Sequence, residues 1–446
     1  MGKVTIWQPL SIQGRLAIRL YLSCGGFIIV CCQRRGKDGR KRARGRVLAA
    51  VALLLFCCGL LCVQAKAAAV DTDPLNYEPL VREGYQHFYI LDYDGALVRF
   101  DKVAEAHPND PMALDYVLNA TVFRELYRLD LLDTTFYAND GFLTGKHPVP
   151  EDPQVRDRIF TLSDRIVSLC DARLKANSND VNALYARGWA RSLRAAYMAM
   201  VERAFNAGLR VALQARSDHQ HVLEIDPNYV DAKMVVGIYE YVVGALPFAF
   251  KIIVGFAGIH GSKSTGMQLL RDSASRGVIT QVESKTVIAL FLRRETKYQE
   301  AITIIRQLKE QYPRSFLICL EEANLLKDVG NGTAAITAYR GVLEQARKPG
   351  YFPSPHLDLA WFGLADSLHG QRLYGEAAAA YEQAAWAPGA GAELKRRSLV
   401  AAGQCFDLNH ERDRALVSYH AAIDAGPEST QADLARGYIR SPYKGH

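Results

Sequence analysis

The chain has 446 residues, of which 49% are hydrophobic and 23% are charged, so it is long enough for several domains or one extended array. Its formal charge of +7 comes from the N-terminus, because residues 1–69 contain 12 Lys or Arg and one acidic residue, a net of +11. The remaining residues carry 42 basic and 46 acidic side chains, a net of −4. This balance argues against a nucleic-acid partner, since such a protein needs a basic surface.

The N-terminal segment has the order of an export signal. A basic extension (residues 1–46) ends in the run 34–46 and is followed by residues 47–63, which are 17 residues without a charge. Small residues then occur up to Ala69. Basic, apolar and small is the order of a secretory signal peptide, and 17 apolar residues also reach the lower limit for a membrane anchor. We therefore predict an exported protein, periplasmic or secreted, in which residues 47–69 are either a cleaved signal or an anchor through 47–63.

An earlier apolar stretch, residues 15–32, contains Arg15 and Arg19. A signal peptide with so long a preceding segment is unusual. Two interpretations stay open: the true start lies further along the chain, or this stretch is a first, weak membrane segment.

Residues 77–110 have the pattern of one helix pair. Leu80 and Gly84 fall in the first helix, Ala96 and Phe100 fall in the second, and Pro108 stands at the exit. After this pair, residues 111–281 are irregular. Apolar residues at helical spacing predict helices over 112–131 and 155–176, and residues 181–229 predict a pair several turns longer than the first.

Residues 234–259 are strongly apolar, with Glu240 and Lys251 as their two charges and Pro247 dividing them. One interpretation is two buried helices separated by a proline break. The other is a surface hairpin that contacts a membrane or a lipid. Its candidate contact residues are Tyr239, Tyr241, Pro247 and Phe248.

Four units of one pattern fill residues 282–429. A small residue of the second helix recurs at Ala301, Ala335, Ala377 and Ala415. Four positions later stands a large residue, which is Ile305, Tyr339, Tyr381 or Tyr419. Twelve positions earlier stands another small residue, which is Ala289, Ala323, Ala365 or Gly403. Residues four apart share a helical face, and small residues allow two helices to approach closely, so each unit is a tightly packed helix pair.

This pattern resembles the tetratricopeptide repeat, whose signature is W-x2-L-G-x2-Y, then A-x3-F, then P. The best-matching unit contains Trp361, Leu364, Ala365, Leu368, Ala377 and Tyr381. The resemblance implies an all-α solenoid of helix-turn-helix repeats, with enlarged, irregular helices in the N-terminal half. Residues 430–446 then form a capping helix and tail, since a solenoid needs a polar end cover.

Residues 180–345 also look similar to one tetratricopeptide family, which is linked to mitochondrial outer membranes and inclusion-body clearance. The likeness lies in the phrases VGALPFAF, GFAGIHGSKSTGMQLLRDSASRG and RETKYQEAI. It carries over no catalytic residue and implies a membrane-proximal, non-enzymatic scaffold. The export signal departs from that family.

The sequence contains no arrangement typical of catalysis or metal binding. His219 and His221 are two positions apart, so their rings point away from each other on a helix and cannot chelate one metal. The H-E-x-x-H and G-x-S-x-G patterns are absent. Cys170, Cys319 and Cys405 occur in apolar helical contexts, which predicts buried free thiols. We therefore predict a non-enzymatic protein with no cofactor and no metal.

The resemblance predicts a partner-binding groove on the concave face, which the first helix of each unit lines. The corresponding positions here are Arg293, Arg294, Asn324, Lys327, Asp328, Phe362, Asp366, His369, Arg397, Gln404 and Asp407. Basic residues at the front of this groove favour a carboxylate or an acidic peptide. The sequence thus predicts a scaffold for a protein or peptide partner.

Overall fold

The computed structural model describes residues 19–23, 26–30, 72–137, 150–246 and 260–445. The chain divides into two compact units, Met1–Ala68 and Ala69–His446. In the first unit, strands β1 (Arg19–Ser23) and β2 (Gly26–Val30) form an antiparallel pair in which Arg19 lies opposite Val30. The stretch considered above as a membrane segment therefore contains β-strands, which the Ile and Val residues of β2 favour. The predicted signal or anchor, residues 47–69, lies outside the described residues.

The described part of the second unit contains 17 α-helices. The first eight are α1 (Pro79–Tyr89), α2 (Tyr93–Ala106), α3 (Pro111–Arg128), α4 (Pro153–Ala176), α5 (Val181–Met200), α6 (Phe205–Ile225), α7 (Ala232–Ala245) and α8 (Lys263–Arg276). The others are α9 (Gln281–Arg294), α10 (Tyr298–Gln311), α11 (Phe316–Asp328), α12 (Gly332–Ala346), α13 (Leu357–Gly370), α14 (Tyr374–Trp386), α15 (Ala392–Leu408), α16 (Arg412–Asp424) and α17 (Thr430–Arg440). Two 3-10 helices, Pro74–Tyr77 and Thr134–Tyr137, precede α1 and follow α3.

Consecutive helices pack as antiparallel neighbours from α1–α2 through α15–α16, and α17 packs on the last pair. The predicted helix-turn-helix solenoid is therefore confirmed for this unit. Helices α5 and α6, of 20 and 21 residues, are longer than α9 and α10, of 14 residues each.

Helix α3 lies in the interior of the unit. Fifteen of its 18 residues are buried, and it contacts α2, α4 and α5. A helix that is covered on every side has no polar stripe, so the repeat pattern is lost there although α3 and α4 still form a pair.

Small residues at the helix crossings explain the spacing of the repeats. A Cβ added to Gly403 of α15 would lie 2.4 Å from Cε1 of Tyr419 on α16, and one added to Gly84 of α1 would lie 2.3 Å from Cε1 of Phe100 on α2. The ring of the second helix thus rests directly on the backbone of the first helix. Only a residue without a side chain fits there.

The N-terminal helices pack against the middle of the array. Tyr89 of α1 donates a hydrogen bond from its hydroxyl to Glu283 of α9 at 2.9 Å, and its ring centroid lies 5.0 Å from that of Tyr312. Tyr127 at the end of α3 donates to the backbone oxygen of Ser354 at 2.5 Å. These long-range contacts close the array, so α1 and α3 cover one side of α9–α11.

The crossing of α7 and α8 provides a test of this packing. A Cβ added to Gly266 would lie 2.5 Å from the backbone nitrogen of Tyr241, which cannot move away cheaply. We expect Gly266→Ala to lower the free energy of unfolding by roughly 1–3 kcal/mol, measured by urea denaturation. Gly341→Ala is the control, because nothing lies within 4 Å of its added Cβ and alanine suits a helix interior. An unchanged stability of Gly266→Ala would contradict the close crossing.

Candidate functional site

The front of the predicted groove is closed around Arg293. Its side chain is 3% exposed, and its guanidinium lies 2.6 Å from Asp328 and 3.2 Å from Glu321. It also donates to the hydroxyl of Thr134 at 2.6 Å. The charge of Arg293, which the sequence placed in a partner-binding groove, is therefore buried and paired inside the chain, whereas the side chain of its partner Asp328 is 23% exposed.

Arg294 and Asn324 also form hydrogen bonds to other residues of the chain. Arg294 donates to the backbone oxygen of Tyr137 at 2.7 Å. Asn324 is buried and accepts a hydrogen bond from Tyr339 at 2.5 Å. The 3-10 helix Thr134–Tyr137 therefore lies against the predicted front of the groove and occupies it.

Three groove positions support the fold through tyrosine hydroxyls. Tyr339 bonds to Asn324, Tyr381 donates to Asp366 at 2.6 Å, and Tyr419 donates to Asp407 at 2.9 Å. In these three units the large residue of the second helix thus bonds to a polar residue of the first helix. The sequence could have indicated these hydrogen bonds, because these units have tyrosine where the repeat signature has phenylalanine. A buried tyrosine hydroxyl needs a hydrogen-bond partner, whereas phenylalanine does not.

Charges further along the groove are also paired. Lys327 lies 3.3 Å from Asp366, and Asp407 accepts a hydrogen bond from Arg412 at 2.9 Å. These pairs leave little net charge in the middle of the groove.

Phe362, His369, Arg397 and Gln404 form a separate set, which we name the open groove. Arg397 is exposed, and its guanidinium carbon lies 5.0 Å from the ring centroid of Phe362. The other three residues are half-buried, and the ring of His369 lies 5.6 Å from that of Tyr374. An exposed guanidinium beside an aromatic face can hydrogen-bond a carboxylate while the ring contacts an apolar side chain.

The candidate lipid contacts do not form one surface in the described residues. Tyr241 is 2% exposed and stacks on Phe291 with ring centroids 3.7 Å apart, so it belongs to the core. Tyr239 is half-buried, with the guanidinium of Arg216 at 4.9 Å from its ring. Pro247 and Phe248 lie outside the described residues. None of the described helices combines the length and the apolar character needed to cross a bilayer.

A cavity of about 200 Å³ lies where α1, α3 and the segment after α3 meet α9–α11. Most of its wall is apolar, and Glu283 is one of its few polar groups. Burial raises the pKa of the Glu283 carboxyl to about 8, although the hydrogen bond from Tyr89 partly offsets this effect. Sequence reasoning missed the cavity because its walls come from segments about 200 residues apart.

The remaining residues that could catalyse a reaction or bind a metal, one histidine and three cysteines, are buried in the core. His219 is buried beside Gly188, and burial lowers its pKa to about 3, so the ring is neutral. Cys170, Cys319 and Cys405 are buried free thiols, as predicted. The described residues contain no group of three or more His, Cys, Asp or Glu side chains placed to hold a metal ion.

Comparison with known families and structures agrees with the repeat architecture. Residues 230–349 match the model of the Iml2/Tetratricopeptide repeat protein 39 family, and this range overlaps residues 180–345, for which the sequence suggested a likeness to one tetratricopeptide family. The chain is similar to this family over that segment. No curated protein matches the chain.

Three solved structures are similar at low identity. PilF of Pseudomonas aeruginosa is 16% identical, with 56% of this chain and 96% of that chain covered and a TM-score of 0.36. The APC/C Cut9–Hcn1 hetero-tetramer is 12% identical, with 82% and 57% covered and a TM-score of 0.45. Yeast Tom70 is 12% identical, with 81% and 94% covered and a TM-score of 0.36. At these identities and scores the likenesses carry no information about a partner.

Replacing Arg293 tests its structural role. Arg293→Met leaves Glu321 buried without its cation, so we expect the free energy of unfolding to fall by roughly 3–5 kcal/mol in urea denaturation. Arg397→Met removes an exposed guanidinium and serves as the control, with an expected change below about 1 kcal/mol. Equal stabilities of the two variants would show that the Arg293 pairs do not hold the array closed.

Glu283 makes stability depend on pH. In the unfolded chain the Glu283 carboxyl loses its proton near its ordinary pKa of 4.5. In the folded chain the pKa is about 8, so the carboxyl keeps its proton to a higher pH. The folded state therefore binds more protons between these values, and the free energy of unfolding falls as pH rises from about 5 to 8. Glu321 and Asp73 have pKa values raised to about 7 and about 6, so they contribute to the same slope.

Glu283→Gln removes one titrating group and keeps the side-chain shape. We expect the variant to gain stability over the parent as pH rises, measured by urea denaturation at pH 5, 6.5 and 8. Glu310→Gln, on an exposed face of α10, is the control and should leave the slope unchanged. A Glu283→Gln slope identical to that of the parent would refute the assignment.

Proposed function

We propose that this tetratricopeptide-repeat chain is a non-enzymatic scaffold that binds an acidic peptide segment of a partner protein in the open groove of α13 and α15. The observation that carries the proposal is the exposed guanidinium of Arg397 stacked on Phe362. Two other cationic side chains of the predicted groove, Arg293 and Lys327, form ion pairs with acidic residues of the chain itself.

The open groove favours a peptide that has a carboxylate next to an apolar side chain. Arg397 offers two parallel N–H donors to a carboxylate, and such charge-assisted bonds are stronger than neutral ones. Phe362 is half-buried and lies edge-on to Tyr381, with ring centroids 5.5 Å apart, so its position is fixed before binding. A preformed aromatic face lowers the entropy cost of binding.

A peptide-display selection on the immobilised full chain tests the proposal. We expect enrichment of peptides that contain Asp, Glu or a terminal carboxylate beside an apolar residue. One selected peptide, labelled for fluorescence polarisation, should bind Arg397→Glu roughly 10- to 100-fold more weakly, because a charge-assisted bond is replaced by repulsion. Phe362→Ala should weaken binding as well.

Arg347→Glu is the matched control, because Arg347 is an exposed arginine in a surface pair with Glu344, outside the open groove. It should bind like the parent. Selected peptides without acidic groups, or equal binding by Arg397→Glu and Arg347→Glu, would refute the open groove as the binding site.

We further propose that the chain is exported, on the evidence of the basic, apolar and small-residue order over residues 34–69. N-terminal sequencing of the mature protein tests this. A new N-terminus between residues 65 and 70 supports cleavage, whereas retention of residues 47–63 in carbonate-washed membranes supports an anchor. An uncleaved chain recovered wholly in the cytosolic fraction would refute both.

A further inference from the structure

We propose that the cavity between the N-terminal helices and α9–α11 is a binding site for a small, uncharged, apolar molecule with one hydroxyl group. This site is separate from the open groove. The site forms where the N-terminal helices close onto the array, and the proposal is based on the volume and the lining residues of the cavity.

The volume and lining of the cavity determine which apolar group a ligand can place there. The cavity measures about 200 Å³, and its walls include Phe88, Leu91, Phe123, Val287 and Ile318. An apolar cavity of about 150 Å³ stays dry and accepts a benzene ring. This cavity therefore has room for a substituted benzene ring or an apolar group of similar volume.

Most polar groups of the wall are already bonded within the chain. Thr286 donates to the backbone oxygen of Val282 at 2.9 Å, and Asp133 accepts from the backbone nitrogen of Thr135 at 2.9 Å. Glu321 is held by Arg293, as described above.

The Glu283 carboxyl is a polar group of the wall that can bond to a ligand. Both of its oxygens lie within 3.0 Å of a single hydroxyl, that of Tyr89, which has one hydrogen to donate. The carboxyl thus keeps hydrogen-bonding capacity on the wall of a mostly apolar space. A ligand hydroxyl suits it, because a hydroxyl can both donate and accept.

The described wall offers no cation to an anionic ligand. The described residues that line the cavity include Asp133, Glu283 and Glu321 but no Lys, Arg or His. A carboxylate on the ligand would face acidic groups in an apolar space and lose its hydration without a cation in return. The ligand is therefore neutral.

Thermal unfolding and calorimetry of the full chain with three probes test the site: 4-ethylphenol, ethylbenzene and the 4-ethylbenzoate anion. A ligand that binds only the folded state raises Tm, and the rise increases with the ratio of ligand concentration to Kd. We expect 4-ethylphenol to bind roughly three- to tenfold more tightly than ethylbenzene, which lacks the hydrogen bond to Glu283. The benzoate should not bind measurably.

Two cavity-filling variants make the test specific. Val287→Phe and Ile318→Phe place a ring in the cavity from α9 and from α11, so both should abolish binding of 4-ethylphenol. Val417→Phe adds the same ring at an exposed position of α16 and should bind like the parent. If one filled variant does not fold, the other still decides.

Three outcomes would overturn the proposal: no binding of 4-ethylphenol, equal binding by a folded cavity-filled variant and the parent, or tighter binding of the benzoate. None of them depends on the peptide selection, so this proposal and that of the open groove fail independently.

Discussion

The buried charge of Arg293 is the interaction on which the closed form of the array depends. In a repeat solenoid each unit contacts its neighbours, so most of the stabilising free energy is local. Arg293 differs because it joins Glu321 and Asp328 of the next repeat to Thr134, which lies 159 positions earlier in the chain. Desolvating a guanidinium is costly, and the two carboxylates and the Thr134 hydroxyl help to offset this cost. The N-terminal helices and the middle repeats are therefore held at one fixed separation.

This closure divides the concave face into regions of different character. At the front, the segment that contains Thr134–Tyr137 occupies the positions where an open array would accept a peptide. Behind that segment, the apolar cavity remains because α1 and α9 meet through Tyr89 and Glu283 rather than through full side-chain packing. Beyond the contact of Tyr127 with Ser354, Arg397 of α15 is exposed in the part of the chain that the structure describes. One long-range packing arrangement thus accounts for both proposed sites.

The sequence predicted those features that depend on local spacing. Residues four and twelve apart, such as Tyr419 and Gly403 around Ala415, determine the helix pairs, and the structure has those pairs. The environment of the groove residues could not be predicted, because it depends on which distant segment lies above them. Arg293 falls at a groove position in the repeat pattern, yet nothing in that pattern indicates that Thr134 would cover it. The interior helix α3 was found as a helix, but its burial between α2, α4 and α5 follows only from the closed array.

The cavity and the open groove are connected by a short series of direct contacts. Asn324 lines the cavity and accepts the hydrogen bond of Tyr339. The ring of Tyr339 rests against Gly363, where an added Cβ would lie 2.4 Å from its Cζ, and Gly363 is the residue after Phe362 of the open groove. This ring therefore fills the space between α12 and α13. One buried side chain thus connects the two sites. The hydroxyl of Tyr339 bonds to Asn324 of the cavity wall, and its ring packs against Gly363, next to Phe362.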